Sequence, residues 1–173
     1  MRLRPATPDD ADGIARTRIA AWRHAYAEIV DPLVLADLDA EDEGERWRDS
    51  LGAAATAAAG LRATVAEQDG RVVGSAIAIV AARAPDDGPA TGELAMLDVH
   101  PVAQGAGVGG ALLDEAERRL REAGCRRAVL RTLAADERAR RFFAGRGWTL
   151  DPEADVPAVE RHGLATVRWS RTL

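Results

Sequence analysis

Residues 97–113 read LDVHPVAQGAGVGGALL and are the most informative part of the chain. An apolar, strand-like segment runs into four glycines within six residues, 105–110, and this cluster opens an amphipathic helical pattern. Glycine permits positive φ and a close approach of the backbone to a ligand. The first turn of a helix has N–H groups without intrahelical acceptors and the positive end of the helix dipole, which together bind phosphate. We therefore predict a phosphate cradle here rather than a turn without a ligand.

A dinucleotide is the first candidate for that phosphate, because Gly105, Gly107 and Gly110 match the pattern GxGxxG. In a dinucleotide-binding unit the first glycine follows its strand almost at once, and the next strand ends in an acidic residue. Here Pro101 and several further residues intervene, and the next predicted strand ends in residues 131–133, RTL, without an acid. The sequence therefore disfavours a dinucleotide.

The same stretch contains Gln104-x-x-Gly107-x-Gly109, and in these residues the chain resembles the GNAT acetyltransferases, whose signature is Q/R-x-x-G-x-G/A. Residues 97–101, LDVHP, are similar to the end of the family's fourth strand. Residues 139–148, ARRFFAGRGW, are similar to its segment A-R-x-F-Y-x-x-x-G-F/W.

The resemblance extends over roughly Leu61 to Trp148 in element order and spacing. Trp22-Arg23 and Trp47-Arg48 in the first two helices also resemble a common bacterial subgroup of the family, less specifically.

Outward from residues 97–113, the patterns predict the order β-α-α-β-β-β-α-β-α-β. Strands are predicted at Arg2–Pro5, Leu61–Glu67, Arg71–Ala81, Glu93–His100, Arg127–Leu133 and Gly163–Leu173. Helices are predicted from Thr7 to Ala25, from Pro32 to Leu51, at Gly107–Ala123 and at Asp136–Gly145. Asp69-Gly70 predicts a hairpin, Ala84–Gly92 a loop, and the acidic run Asp39–Glu45 a break within the second helix. We expect one α/β (α+β) domain over residues 1–173, with a GNAT-like mixed, mainly antiparallel central sheet of about six to seven strands flanked by about four helices.

The composition excludes several classes of protein. A content of 47% hydrophobic and 29% charged residues is typical of a globular domain, and no window approaches the apolar length of a membrane span. The net charge of −5 disfavours a nucleic-acid partner, and the absence of lysine excludes a lysine-dependent P-loop. A single cysteine, Cys125, and an N-terminus without an apolar signal core predict a cytoplasmic protein without an internal disulfide.

The resemblance implies direct transfer of an acetyl group from acetyl-CoA to an amine, without a metal. In the family the loop amides hold the pyrophosphate, and the pantetheine lies beside strand four, where strands four and five separate. The backbone N–H of Val99 would then polarise the thioester carbonyl. The cofactor-binding residues implied in this way are Leu97, Val99, Gln104, Gly105, Ala106, Gly107, Val108, Gly109, Gly110, Ala111, Asp136 and Phe143.

Glu93 is the predicted general base, because a neutral amine must attack and its proton must be removed. It lies eleven residues before Gln104, a spacing that matches a glutamate base in some family members. A solvated carboxylate at the strand edge is the alternative. Asp98 and His100 are the other titratable groups of this strand. Simple alternation puts Asp98 on the face opposite to Glu93, unless a bulge changes the parity.

Two positions depart from the family pattern. Phe143 stands where many members have a tyrosine that serves as general acid, and phenylalanine cannot donate a proton. The thiolate then leaves unassisted, or water or another group protonates it. Asp136 replaces an asparagine at the start of the last helix. It is a good N-cap, but its carboxylate accepts hydrogen bonds and does not donate them.

The acceptor amine is not identified by the sequence. In the family it is selected by the first two helices and by the loop that corresponds here to Asp151–His162. Trp22, His24, Tyr26 and Trp47 are candidates for the acceptor pocket, with core packing as the alternative.

Two other functions stay open at this point. One is a catalytically silent acyl-CoA-binding module, favoured by Phe143, and the other is transfer of a longer acyl chain. Cys125 is interpreted as a buried small residue rather than a nucleophile. A homodimer is compatible with the family, but the sequence contains no dimer determinant.

Overall fold

A mixed sheet forms the centre of the structure, a computed structural model that describes residues 1–52, 60–80, 90–152, 160–161 and 163–173. The strands are β1 (Arg2–Pro5), β2 (Leu61–Gln68), β3 (Arg71–Val80), β4 (Ala90–Val99), β5 (Cys125–Leu133), β6 (Thr149–Leu150), β7 (Glu160–Arg161) and β8 (Leu164–Thr172). Their order is β1-β2-β3-β4-β5-β8-β6, and β7 pairs with β8 beside this path. Only β4 and β5, among the described pairs, are parallel. The predicted mixed, mainly antiparallel sheet is confirmed.

Five α-helices lie in the described part of the chain: α1 (Ala11–Ala25), α2 (Pro32–Ala36), α3 (Ala40–Leu51), α4 (Val108–Glu122) and α5 (Glu137–Gly145). The predicted second helix is indeed divided, but before most of the acidic run rather than within it. Asp39 accepts hydrogen bonds from the backbone N–H of Glu41 at 2.8 Å and of Asp42 at 3.0 Å. It therefore caps α3, and the acids that follow lie in the first helical turn, where the helix dipole stabilises them.

Strand boundaries give the main corrections to the prediction. β4 begins at Ala90, so the predicted loop Ala84–Gly92 is wrong in its last three residues, and its remainder lies outside the described residues. The cause is the parallel pairing with β5, in which Ala90 lies opposite Cys125. β6 and β7 were not predicted, because two-residue strands carry no periodic pattern. The hairpin at Asp69-Gly70 is confirmed, with φ of 51° and 73°.

The sheet separates two apolar layers, which we call the α4 face and the α1 face. On the α4 face Leu112, Leu113 and Leu120 pack with Trp148 and Trp169, next to α5. On the α1 face a second cluster joins helices α1 and α3 to the strands; it consists of Ile14, Leu51, Leu61, Ala63, Val65, Ile77 and Met96.

Helix α4 is the element that the sequence predicts best. The whole predicted stripe is buried: Val108, Leu112, Leu113, Ala116 and Leu120. Gly107 begins the helix with a left-handed φ of 81°, and Gly124 follows its end with a φ of 83°. The apolar side of α4 therefore faces the sheet, and its N-terminus is fixed beside the end of β4.

Glu117 is a buried carboxylate that joins α4 to the far edge of the sheet. Its Oε1 accepts hydrogen bonds from Trp148 Nε1 and from Arg171 Nη1, both at 3.0 Å, and Arg121 bonds its Oε2 at 3.2 Å. We expect Glu117→Ala to lower the free energy of unfolding by about 3 kcal/mol, because it leaves buried partners uncompensated. Urea denaturation measures the loss. In the control Glu122→Ala, an exposed ion pair on the same helix is removed, and the midpoint should stay close to that of the wild type. Equal midpoints for the two variants would contradict this role of Glu117.

Asp10 connects β1 to the start of α1. Its carboxylate accepts two hydrogen bonds from Arg4, each of 2.7 Å, and a third from the backbone N–H of Thr7 at 2.8 Å. The bonds from Arg4, chiefly, hold the pKa of Asp10 below its ordinary value. A depressed carboxyl pKa contributes stability that is complete above about pH 4 and is lost as the pH falls through the folded-state pKa.

We therefore expect Asp10→Asn to be less stable than the wild type at pH 7, and the difference to shrink towards pH 2–3. Urea midpoints measured across this range test the expectation, with the neighbouring exposed variant Asp9→Asn as the matched control. A difference that is independent of pH would show that the ionised carboxylate is not the cause.

Candidate functional site

The pairing of β4 with β5 ends in the middle of β4. The last paired residues are Leu94 and Leu130, although both strands continue beyond them. At the same point β4 contains a bulge: Leu94 lies opposite Ala78 and Met96 opposite Ile77, so Ala95 is an extra residue. A bulge bends its strand, and β4 separates here from β5. A cavity of about 480 Å³ lies at this gap.

The cavity has one half on each face of the sheet. The loop half, on the α4 face, is lined by Leu97, Val99, Gln104, Gly105, Gly107, Val108, Gly109, Gly110, Thr132, Asp136, Arg138, Ala139, Phe142 and Phe143. The α1 half, on the α1 face, is lined by Arg18, Ala21, Trp22, Ala25, Tyr26, Met96, Asp98, Arg131, Leu133 and Thr166. Alternation along the strands assigns these sides, since Leu97 and Val99 pack in the α4-face cluster and Met96 in the α1-face cluster.

The glycine loop provides backbone donors in the loop half. Gly105 and Gly107 have φ of 78° and 81°, and a Cβ added at either would meet no atom within 4 Å. The first intrahelical bond of α4 runs from Ala111 N to Gly107 O at 3.0 Å, so the N–H groups of residues 108–110 have no acceptor within the helix. These N–H groups, at the positive end of the α4 dipole, are suited to bind an anion.

Gln104 joins this loop to two other elements. Its Nε2 donates to the carbonyl of Val99 at 2.9 Å, and its Oε1 accepts from Arg138 Nη1 at 2.8 Å. Arg138, which the sequence reasoning missed, thereby brings a guanidinium to the rim of the loop half. No local signal separates Arg138 from the other arginines of this helix, because Phe142, which it precedes by four positions, is identified as a lining residue only by the structure.

Ten of the twelve residues predicted to bind the cofactor line the cavity: Leu97, Val99, Gln104, Gly105, Gly107, Val108, Gly109, Gly110, Asp136 and Phe143. Ala106 and Ala111 lie in the same loop and helix start but are not lining residues. Asp136 caps α5 by accepting a hydrogen bond from Ala139 N at 2.9 Å, as an N-cap should.

Phe143 lies at the inner end of the loop half. It is 6% exposed, and its ring contacts those of Phe142 and Trp148 with centroid distances of 5.0 Å and 5.9 Å. The family's tyrosine position is therefore occupied here by an apolar ring within an aromatic cluster.

The bulge resolves the facing of the two carboxylates on β4. Gly92 and Leu94 face α4, so Glu93 faces the α1 side, and Asp98 also lies there because it contacts Arg18 of α1. The two carboxylates therefore share one face, contrary to simple alternation. Their register partners on β3, Ile79 and Ser75, are four residues apart, which corresponds to about 13 Å. Glu93 is exposed and is not a lining residue, and its role as a base stays a prediction.

The other sequence candidates divide between the cavity and the core. Trp22 and Tyr26 line the α1 half and contact each other edge to face at 5.2 Å between ring centroids. His24 is exposed, whereas Trp47 packs against the α1-face cluster. His100 caps the short turn after β4, since its Nδ1 accepts a hydrogen bond from the backbone N–H of Val102. Most of the predicted acceptor loop Asp151–His162 lies outside the described residues.

A cation and a carboxylate are paired at the base of the α1 half. Arg18 Nη1 lies 3.5 Å from Asp98 Oδ2, and its Nε lies 3.8 Å from Glu43 Oε2. The guanidinium also stacks over Trp22, 4.6 Å from the ring centroid. Asp98 is 8% exposed, so this charge is nearly enclosed.

A mixed sheet opens between β4 and β5, and a glycine-rich helix N-terminus lies beside the opening. The model of the Acetyltransferase (GNAT) family matches residues 22–148. The chain therefore belongs to the GNAT acetyltransferase family.

Solved structures of this family have the same fold. The PaiA N-acetyltransferase of Thermoplasma acidophilum, in complex with coenzyme A, superposes with a TM-score of 0.80 at 15% identity over 99% of this chain and 98% of that one. YncA of Salmonella typhimurium, with its cofactor acetyl-CoA, gives 0.69 at 24% identity over 100% and 94%. A GCN5-related N-acetyltransferase of Rhodopseudomonas palustris gives 0.66 at 26% identity over 99% and 95%.

No curated protein matches the chain. None of the helices in the described residues is long and apolar enough to cross a membrane.

Proposed function

We propose that this protein is an acetyl-CoA-dependent N-acetyltransferase that transfers the acetyl group directly to an amine of a small molecule or a protein. The observation that carries the proposal is the cavity that crosses the sheet at the gap between β4 and β5. It places the glycine loop on one side and an aromatic, charged compartment on the other. Membership of the GNAT family, and relatives with bound coenzyme A or acetyl-CoA, support the proposal.

The loop half fits the pyrophosphate of a CoA thioester. The space above Gly105 and Gly107 is open, and the N–H groups of residues 108–110 have no helical acceptor there. We assign the phosphates to these amides and to the guanidinium of Arg138, which adds a charge-assisted donor. Ala106 stays in the proposed set through its backbone N–H, whereas Ala111 stays there only by its place in the first turn of α4, since its own N–H donates to the Gly107 carbonyl.

The gap fits the pantetheine arm. His100 N–H donates to the carbonyl of Val73 on β3 at 2.9 Å. Because an antiparallel ladder alternates, the N–H groups of Leu97 and Val99 point the other way, into the gap. Acetyl-CoA supplies the activated acetyl thioester, and in this proposal the N–H of Val99 polarises its carbonyl.

The amine must lose a proton as it attacks, and the sulfur must leave. Glu93 is the proposed base; because it is exposed, does not line the cavity and lies about 13 Å along β4 from Asp98, it would act through a chain of waters. Phe143 cannot donate a proton to the sulfur. A thiol pKa of about 8.5 makes the thiolate a tolerable leaving group at neutral pH without such a donor.

A silent CoA-binding module is not favoured. Such a module needs the loop half alone, whereas here the cavity continues into the α1 half, where Asp98, Arg18 and two aromatic rings lie. A cytoplasmic location accompanies the proposal, because a single cysteine, Cys125, is typical of a reducing compartment.

The proposed function predicts release of coenzyme A thiol from acetyl-CoA that depends on an added amine. A thiol assay with a panel of primary amines and peptides with unmodified N-termini tests it. Binding of acetyl-CoA without turnover on any amine would favour the silent module. Faster turnover with longer acyl-CoAs would show that the protein transfers a longer acyl group rather than acetyl. The absence of any binding to CoA esters would overturn the proposal.

Gly107 provides a sharper test of the cradle, because Gly124 is a matched control. Both have a left-handed φ, 81° and 83°, and neither would place a Cβ within 4 Å of another atom, but only Gly107 lines the cavity. Alanine at either position strains the backbone by about 1–2 kcal/mol. We expect Gly107→Ala to weaken acetyl-CoA binding about tenfold by displacing the loop amides, since about 1.4 kcal/mol corresponds to a factor of ten.

Gly124→Ala should lose similar stability and keep its affinity for acetyl-CoA. Calorimetric titration of acetyl-CoA and urea denaturation of both variants give the comparison. If both variants lost affinity equally, the effect would be one of general stability and not of the loop.

A further inference from the structure

Thr132 has a buried hydroxyl at the wall of the loop half. It lies on β5 two residues beyond Leu130, where the pairing with β4 ends, and it is 9% exposed. Its side chain faces α4, because Leu130, two residues earlier, packs in the cluster of the α4 face. Its Oγ1 accepts a hydrogen bond from Trp169 Nε1 at 3.1 Å. The indole therefore holds the oxygen of this hydroxyl in place and leaves its hydrogen to point elsewhere.

The hydroxyl hydrogen of Thr132 has no acceptor among the described residues. A threonine hydroxyl has one donor hydrogen and two acceptor lone pairs, and the indole N–H of Trp169 uses only a lone pair. The bond from Trp169 is the one hydrogen bond of this hydroxyl in the part of the chain that the structure describes. A buried donor without an acceptor costs free energy, so a donor at a cavity wall favours an acceptor within the cavity.

The expected contents of the gap decide which atom accepts this hydrogen. Under the proposed function the thioester lies in the gap, with its carbonyl oxygen turned to the N–H of Val99 on β4. Thr132 faces the gap from β5, the opposite strand. The sulfur is the polar atom of the thioester that remains for a donor on this side. A thiolate sulfur is also the better acceptor, because a hydrogen bond to a charged group is stronger than one between neutral groups.

Thr132 is the one residue with a hydroxyl among the described residues that line the loop half. Phe143 cannot donate to the sulfur, and its ring centroid lies 6.5 Å from that of Trp169, the residue that bonds Thr132. Asp136 lines the same half, but a carboxylate accepts hydrogen bonds and does not donate them. The guanidinium of Arg138 lies at the rim. A side-chain donor for the sulfur is therefore present beside Phe143, but on the strand instead of on α5.

We infer that Thr132 is a catalytic residue whose hydroxyl donates a hydrogen bond to the thioester sulfur and to the thiolate that leaves. The inference rests on the proposed function and adds to it the group that stabilises the leaving sulfur. In the transfer step the amine nitrogen forms a bond to the acetyl carbon, and the C–S bond breaks with its electron pair on the sulfur. The amine proton goes through water to the proposed base. Thr132 keeps its own proton, so the product is the CoA thiolate, which solvent protonates afterwards.

The thiol of bound CoA tests the inference without any amine. A donor to the sulfur stabilises the thiolate and lowers the pKa of the thiol. Thr132→Val keeps the shape of the side chain and removes the hydroxyl. We expect it to raise the pKa of the bound thiol by about 1, the effect of one hydrogen bond to a charged group. The thiolate absorbance of the protein–CoA complex, titrated with pH, measures this pKa, and a desulfo-CoA complex as reference removes the signals of Cys125 and Tyr26.

Two further variants separate the hydroxyl from its structural contact. Trp169→Phe removes the same hydrogen bond as Thr132→Val but keeps the hydroxyl, and Thr132→Ser keeps the hydroxyl on a smaller side chain. Both should leave the thiol pKa of bound CoA close to that in the wild-type complex. The charged groups that line the loop half, Asp136 and Arg138, are the same in all these proteins. Thr132→Ala removes the hydroxyl as well, and it replaces Thr132→Val if that variant does not fold.

Turnover gives the kinetic side of the test. With the fastest amine of the panel, Thr132→Val should lower kcat about tenfold and leave the Kd of acetyl-CoA unchanged, and Thr132→Ser should recover most of the lost kcat. An unchanged kcat or thiol pKa in Thr132→Val, or an equal rise of that pKa in Trp169→Phe, would assign Thr132 a structural role only and leave the CoA site intact. Failure of CoA to bind to the wild-type protein would overturn the proposed function instead.

Discussion

The site depends on the place where β4 and β5 stop pairing. In a parallel pair each strand normally satisfies the backbone groups of the other along its length. Here the ladder ends at Leu94 and Leu130, and backbone groups of the following residues are directed into a gap instead. The two faces of the sheet, which carry separate apolar layers, communicate through this opening. A reaction between two molecules held on opposite faces becomes geometrically feasible because of it.

The other features of the site maintain or use this opening. The bulge at Ala95 bends β4 where the pairing ends. Gln104 bonds both the Val99 carbonyl and Arg138, so the end of β4, the glycine loop and the start of α5 form one connected unit. The buried stripe of α4 fixes the helix N-terminus against the same strand. A ligand held by the glycine loop would therefore have a defined position relative to the gap, because hydrogen bonds connect the loop directly to the end of β4.

The sequence predicted the parts of this arrangement that local patterns encode. Helix α4, its buried stripe and the glycine cradle follow from periodicity and glycine chemistry between Gly105 and Leu120, and the hairpin at Asp69-Gly70 follows from turn preferences. The start of β4 was missed because Ala90 is fixed by pairing with Cys125, a contact distant in sequence. The shared facing of Glu93 and Asp98 needed the bulge, which no residue type marks. Arg138 and Arg18 are two among many arginines, and only tertiary packing shows which of them reach the cavity.

The bulge also separates two properties of β4 that would otherwise be tied together. Leu94 and Met96 lie opposite consecutive residues of β3, so Ala95 adds length without changing the face of any other side chain. In a chain without Ala95, Glu93 and Asp98 would be four residues apart instead of five, so both would still lie on the α1 face. Val99 would still lie on the α4 face, and only the bend would be lost. The width of the opening and the identity of the groups that line it can therefore vary independently. A protein of this kind could change the molecules it accepts by altering α1 alone, without rebuilding the strand that holds its thioester.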